Sequence, residues 1–97
     1  MSIARIGETQ AKPESIEAMR EFLLSIMPGI KATKGCVSVT LYQSQEEPTK
    51  FTMIEIWDRV ESHKAAVREI SPEDLAKVKA ILASAPRGEY FSQIQNK

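Results

Sequence analysis

FTMIEIWDRVESHKAAVREI, residues 51–70, changes its side-chain period halfway along, and that change decides the fold. Up to Asp58 the chain alternates. Phe51, Met53, Glu55 and Trp57 share one side of a strand, and Thr52, Ile54, Ile56 and Asp58 the other, because strand side chains alternate with a period of two. Both sides carry apolar bulk. From Val60 the spacing is helical, with Val60, His63, Ala66, Val67 and Ile70 on one face. Asp58 and Glu61 fit the N-cap and N3 positions of a capping box, so the strand is expected to pass directly into a helix near Asp58. An indole (Trp57), an imidazole (His63) and a carboxylate (Glu55) within nine residues make this junction the chain's one concentration of candidate chemistry.

Working outward, Gly35 opens a second strand, CVSVTLYQSQ, in which Val37, Val39 and Leu41 alternate with Cys36, Ser38, Thr40 and Tyr42. Glu46 to Thr49 forms a turn, so this strand pairs with the Phe51 strand as an antiparallel hairpin. Ahead of it, Ile16, Met19, Phe22, Leu23, Ile26 and Met27 recur at helical spacing after Pro13, and Pro28-Gly29 is expected to stop that helix. Ser2 to Gln10 reads as a first strand with Ile3, Arg5 and Gly7 on one side. Downstream, Ser71, Pro72 and Asp74 supply an N-cap, a proline at N1 and an acid at N3 for a further helix. Its apolar side is Leu75, Val78, Ile81 and Leu82, and Ala85 to Gly88 ends it before a last strand, Glu89 to Ile94, carrying Tyr90 and Phe91.

The order β-α-β-β-α-(α)-β defines an α+β, ferredoxin-like fold, an antiparallel sheet with helices on one face. Helices on one side leave the other face open, yet strands two and three are apolar on both. A second copy packing sheet against sheet solves this, giving a homodimer through the sheet face, a dimeric α+β barrel.

Ninety-seven residues suit a single domain spanning 1–97, and one this short buries only about 65% of its unfolded surface. Thirteen basic and thirteen acidic residues balance without runs, which argues against nucleic acid and anionic membranes as partners and for a small, neutral or apolar ligand. An RNA-recognition role fails further because the strands lack paired aromatic and basic residues. No signal-like N-terminus or membrane-length apolar run is read, so a cytoplasmic location is expected. One His and one Cys are too few for a protein-only transition-metal site, and Cys36 reads as a buried structural thiol.

GCVSVTLYQSQ, FTMIEIWDRVESHKAA, a late helix and APRGEYF together resemble the antibiotic biosynthesis monooxygenase family of small dimeric α+β barrels. The most specific part is Glu55-x-Trp57 followed by Ser62-His63-Lys64-Ala65-Ala66. The resemblance implies oxygenation of quinol- or phenol-like substrates by oxygen, with no metal or flavin cofactor. The haem-degrading branch of that superfamily, which uses Asn, Trp and His, fits less well because the first strand has no Asn.

Such chemistry needs a base, donors to an oxyanion and exclusion of water. His63 is the candidate base, and Glu55 either a catalytic carboxylate or half of a structural ion pair with Arg5, since a carboxylate on an apolar strand face must find a partner or neutralise. Trp57 either caps the sheet or walls a pocket and offers its indole N–H. Tyr42 belongs to either a pocket or the dimer interface. A pocket is expected at the strand-to-helix junction, lined by Trp57, His63, Phe22 and Met19, with Met27 and Met53 adapting to its shape. The competing reading is a non-enzymatic ligand-binding or regulatory barrel of the same fold.

Overall fold

The computed structural model describes residues 2–94. Its elements run β1 (Ile3–Gln10), α1 (Ile16–Ala32), β2 (Cys36–Gln43), β3 (Lys50–Trp57), α2 (Val60–Val67), α3 (Pro72–Ile81) and β4 (Arg87–Ser92). The four strands form one antiparallel sheet in the order β2-β3-β1-β4, the ferredoxin-like α+β arrangement.

Strand register sorts the side chains into rows on two faces. Beneath the helices, Val39, Glu55, Arg5 and Tyr90 stand in one row, flanked by the row of Leu41, Met53, Gly7 and Gly88 and by the row of Cys36, Trp57, Ile3 and Ser92. The opposite face carries Ser38, Ile56, Ala4 and Phe91, then Thr40, Ile54, Ile6 and Glu89, then Tyr42, Thr52, Glu8 and Arg87. The core is on the helix side. Met19 and Leu23 from α1 pack on Phe51, Met53 and Ala11, with Ile26, Met27 and Ile30 continuing the contact. Pro13–Ser15 forms a single tight turn leading into α1.

Four local expectations are corrected. Pro28-Gly29 does not end α1, which continues to Ala32. The missing Pro28 N–H costs about 3 kcal/mol in a helix interior, and burial of Met27 and Ile30 against the core offsets it. Thr33 terminates the helix instead, turning extended while its hydroxyl donates to the Gly29 carbonyl at 2.8 Å. The Asp58–Glu61 capping box does not form: α2 is preceded by Arg59, with no side-chain cap. Asp58 instead faces Ser62, whose hydroxyl holds the carboxyl below its ordinary range. Val37 leaves the apolar alternation because a bulge between Cys36 and Ser38 turns it outward, 55% exposed. The last strand begins at Arg87 and ends at Ser92, so Ile94 lies beyond it.

Two anchors position the helical layer. Gly35 has φ +93°, and a Cβ there would lie 2.6 Å from both Asp58 Oδ1 and Ser62 Oγ, so only glycine lets β2 pass this close to the start of α2. The Asp58 amide donates to the Gly35 carbonyl at 2.8 Å across the same gap. At the other end, Lys12 N–H donates to Ile81 O and Ala83 N–H to Gln10 O, tying the end of α3 to the end of β1. The Ser71 hydroxyl caps α3 by accepting from the Asp74 amide, as expected. Between these anchors α2 packs on β3, and α3 packs against α1 with Val78, Ile81 and Leu82 on the core.

Candidate functional site

The space left between α1, α2 and α3 is a cavity of about 650 Å³. Phe22, Ile26 and Ile30 wall it from α1, Ala66 and Val67 from α2, and Leu75 and Val78 from α3, with Glu55, Trp57 and His63 at its floor. The continuation of α1 past Pro28 extends this wall, since Gly29, Ile30 and Thr33 all line it.

Period-two alternation puts Glu55 and Trp57 on the same side of β3, and the Trp57 indole N–H donates to Glu55 Oε1 at 2.9 Å. His63 comes down from α2 onto this pair. Its Nε2 stands 3.9 Å from Glu55 Oε1, and its ring meets the indole edge-on with centroids 5.6 Å apart. On its other side Nδ1 is 2.7 Å from the Tyr90 hydroxyl, supplied by β4 across the sheet. The Arg5 guanidinium lies over the Tyr90 ring, 4.6 Å from its centre. Gly88 makes room for it, as a Cβ there would collide with that guanidinium. One connected set therefore runs Trp57, Glu55, His63, Tyr90, Arg5.

Burial shifts both titratable groups that meet at the floor. Glu55 and His63 side chains are only 13% and 11% exposed. Removal from water pushes the Glu55 carboxyl up, against the opposing pull of the Trp57 N–H and the Arg5 charge. The same burial, aided by Arg5, pushes the His63 imidazole down, so the neutral base form prevails at neutral pH.

The sequence-derived candidates divide. His63, Glu55, Trp57 and Phe22 meet at the cavity. Met19 does not line it, being fully buried in the core between α1 and the sheet. Tyr42 lies on the open face, 58% exposed, because its register partner is Thr52 and not a residue of the helix-covered rows. Arg5 sits opposite Glu55, but no ion pair within 4 Å joins them; the guanidinium is drawn to Tyr90 and reaches Glu55 only at longer range. The Trp57 N–H is occupied by Glu55 and is not offered to a ligand. Cys36 is half-buried rather than buried, with its thiol raised first by burial and then by the Glu55 charge. Tyr90 is the residue that sequence reasoning passed over. Its signal lay in register alone, since β1 must pair with both β3 and β4 to bring it into the row of Arg5 and Glu55.

Among the described residues no group of three or more His, Cys, Asp or Glu side chains converges as a metal site requires, and no helix is long and apolar enough to cross a membrane.

Comparison with known proteins agrees with this architecture. The family model for antibiotic biosynthesis monooxygenase matches residues 2–86. A Methanosarcina mazei conserved protein of known structure is 22% identical, with a TM-score of 0.84 over 97% of this chain and 94% of that one. A Bordetella bronchiseptica protein provisionally named an antibiotic biosynthesis monooxygenase is 21% identical, with a TM-score of 0.83 over 97% and 98% of the two chains. A Mycobacterium tuberculosis protein gives a TM-score of 0.83 at 19% identity over 99% and 98%. No curated protein matches the chain.

Proposed function

The chain belongs to the antibiotic biosynthesis monooxygenase family, and from that premise we propose that it is a cofactor-independent monooxygenase acting on an aromatic quinol- or phenol-like small molecule in the cavity above Glu55. The observation that carries this reading is a neutral imidazole beside a buried carboxylate, 3.9 Å from Nε2 to Oε1, on the floor of a cavity walled mainly by apolar side chains.

In this reading His63 is the base. With Nδ1–H donating to the Tyr90 oxygen, the Nε2 lone pair faces Glu55 and the cavity. An acidic hydroxyl on the cavity side of the ring donates to the Nε2 lone pair at about 2.8 Å. His63 takes the proton, and Glu55 and Tyr90 stabilise the imidazolium that results. The electron-rich substrate anion then gives one electron to oxygen, and the radical pair joins to form a carbon–oxygen bond. The proton returns from His63 to give a hydroperoxide. Loss of water from that group leaves a carbonyl; where the hydroxyl is the enol form of a ketone, counted from the keto tautomer, a CH₂ centre and O₂ become C=O and H₂O. All four electrons come from the substrate. The apolar walls keep water from protonating the anion before oxygen reaches it.

The homodimer belongs to the same proposal. The open sheet face presents Ile6, Ile54, Ile56 and Phe91 without a helix above them, and a second copy supplies the missing layer. The alternative function, a binding or regulatory barrel, rests on the Trp57–Glu55 hydrogen bond, which accounts for the buried carboxylate without catalysis.

Oxygen uptake with a panel of hydroquinones and anthrones separates the two. Turnover that falls at least tenfold in His63→Ala while the fold persists supports the oxygenase. No turnover across the panel, with ligands still binding, supports the binding protein.

A further inference from the structure

We propose that the cavity selects its ligand by charge, taking an uncharged or cationic planar aromatic and rejecting the carboxylate-bearing analogue. This rests on the cavity being the substrate site and adds the charge class of what enters it. Among the described residues the ionisable lining groups are Glu55 on the floor, His63 beside it, and Glu69 and Asp74 on and just after the turn joining α2 to α3; no lysine or arginine lines the space. The cations on those helices, Lys64, Arg68, Lys77 and Lys79, are exposed outside it. Arg5 is the cation whose field reaches the floor, and its guanidinium is committed to the Tyr90 ring, packed over Gly88 and outside the cavity wall.

An anionic ligand would therefore shed its water against Glu55 with no counter-charge in the wall. Two like charges roughly 6 Å apart at an effective dielectric near 20 correspond to about a hundredfold in affinity, and screening at the cavity mouth leaves at least about tenfold. A neutral phenol meets no such penalty, and its O–H finds an acceptor at Nε2. An ammonium group gains from Glu69 and Asp74 at the mouth. The substrate then enters as its neutral acid and becomes an anion only after His63 has taken its proton, so charge separation occurs inside the cavity.

Trp57 is the sole tryptophan, so its indole N–H gives one resolved amide-region resonance that reports directly on the floor. The test follows that resonance in the full chain at pH 7 during titration with 2-naphthol, 2-naphthoate and 2-naphthylmethylammonium, matched in shape and different in charge. The expected order is ammonium at least as tight as naphthol, and naphthol at least tenfold tighter than naphthoate. Glu69→Lys, remote from the floor, should raise naphthoate affinity severalfold and so shrink the naphthol-to-naphthoate ratio; Glu55→Gln should narrow the gap further. Naphthoate binding as tightly as naphthol overturns the charge selection while leaving the cavity as a ligand site. A naphthol-to-naphthoate ratio untouched by both substitutions overturns it too, because the discrimination would not come from these carboxylates. If none of the three compounds moves the indole resonance, the cavity is not a ligand site and both readings fall together.

Discussion

Tyr90→Phe removes one oxygen and leaves the ring, its edge contact with His63 and its stacking under Arg5 in place. The oxygen lost is the partner of His63 Nδ1 at 2.7 Å, and His63 is buried, so the nitrogen loses its hydrogen bond where water has little access. Leaving such a group unpaired costs about 1–3 kcal/mol, against a few tenths for the smaller ring surface alone. An expected loss of about 1.5 kcal/mol lowers Tm by roughly 6–12 °C in a domain of this size. In urea it moves the midpoint down by about 1 M at unchanged slope. The same change has a signature that general destabilisation lacks. With Tyr90 present, the base reading requires Nδ1–H donating to the phenol oxygen and a bare Nε2; without it, the proton gains by moving to Nε2 and facing Glu55. Nitrogen-detected NMR of the lone imidazole distinguishes the two tautomers. A parent protein already in the Nε2–H form, or a Tyr90→Phe variant with unchanged tautomer and a stability loss under 0.5 kcal/mol, would refute the assignment of Tyr90 as the group that positions the base.

Glu55→Gln should stabilise the protein at neutral pH and abolish turnover together. Burial raises the Glu55 pKa, so between its ordinary 4.5 and the raised folded value the folded chain holds a proton that the unfolded chain has released, and Glu55 lowers stability as pH rises through that range. Urea midpoints across pH should show the Gln variant ahead at pH 7 and the gap closing toward pH 4; a constant gap contradicts the burial argument. His63 acts with the opposite slope, its depressed pKa costing stability as pH falls from its ordinary 6.5 toward the folded value, so His63→Gln should flatten that part of the profile. On the open sheet face, Ile54→Asp should convert dimer to monomer in sedimentation with helix content unchanged; dimers persisting at micromolar concentration would place the interface elsewhere.

Most of the fold was legible because its signals are local. The change of period at Asp58, the Ser71-Pro72 cap and the strand alternation of residues 51–57 each act within one turn or one strand, and the structure follows them. The misreadings all came from tertiary competition. Pro28 reads as a breaker until the packing of Met27 and Ile30 is counted, and the Asp58 cap gives way to a contact between Asp58 and Ser62 at the crossing of Gly35. The candidate site was half legible for the same reason. Glu55 and Trp57 share a strand face by alternation and His63 follows within two helical turns, so the three could be grouped from spacing alone. Tyr90 is 27 positions from His63, and nothing short of strand order and register brings them together. The family match ends at residue 86, so it does not reach Tyr90 either.

The rows of the sheet make one further argument about why these residues are there. Under the helices, the row of Leu41 and Met53 is apolar, and the row of Cys36, Trp57 and Ile3 is apolar but for its end. Between them runs Val39, Glu55, Arg5, Tyr90, with three polar side chains in the middle of the covered face. A sheet that had only to fold would be more stable with apolar residues at these positions, since burying Glu55 and Arg5 costs desolvation that a single indole N–H and one stacked ring recover only in part. The local rule of apolar burial is broken at the row that lies under His63 and opens to the cavity, and departures of that kind concentrate where a site is built. The Glu55 carboxyl is thus not incidental to the cavity: the Trp57 N–H donates to it, and His63, held from its far side by Tyr90, stands beside it.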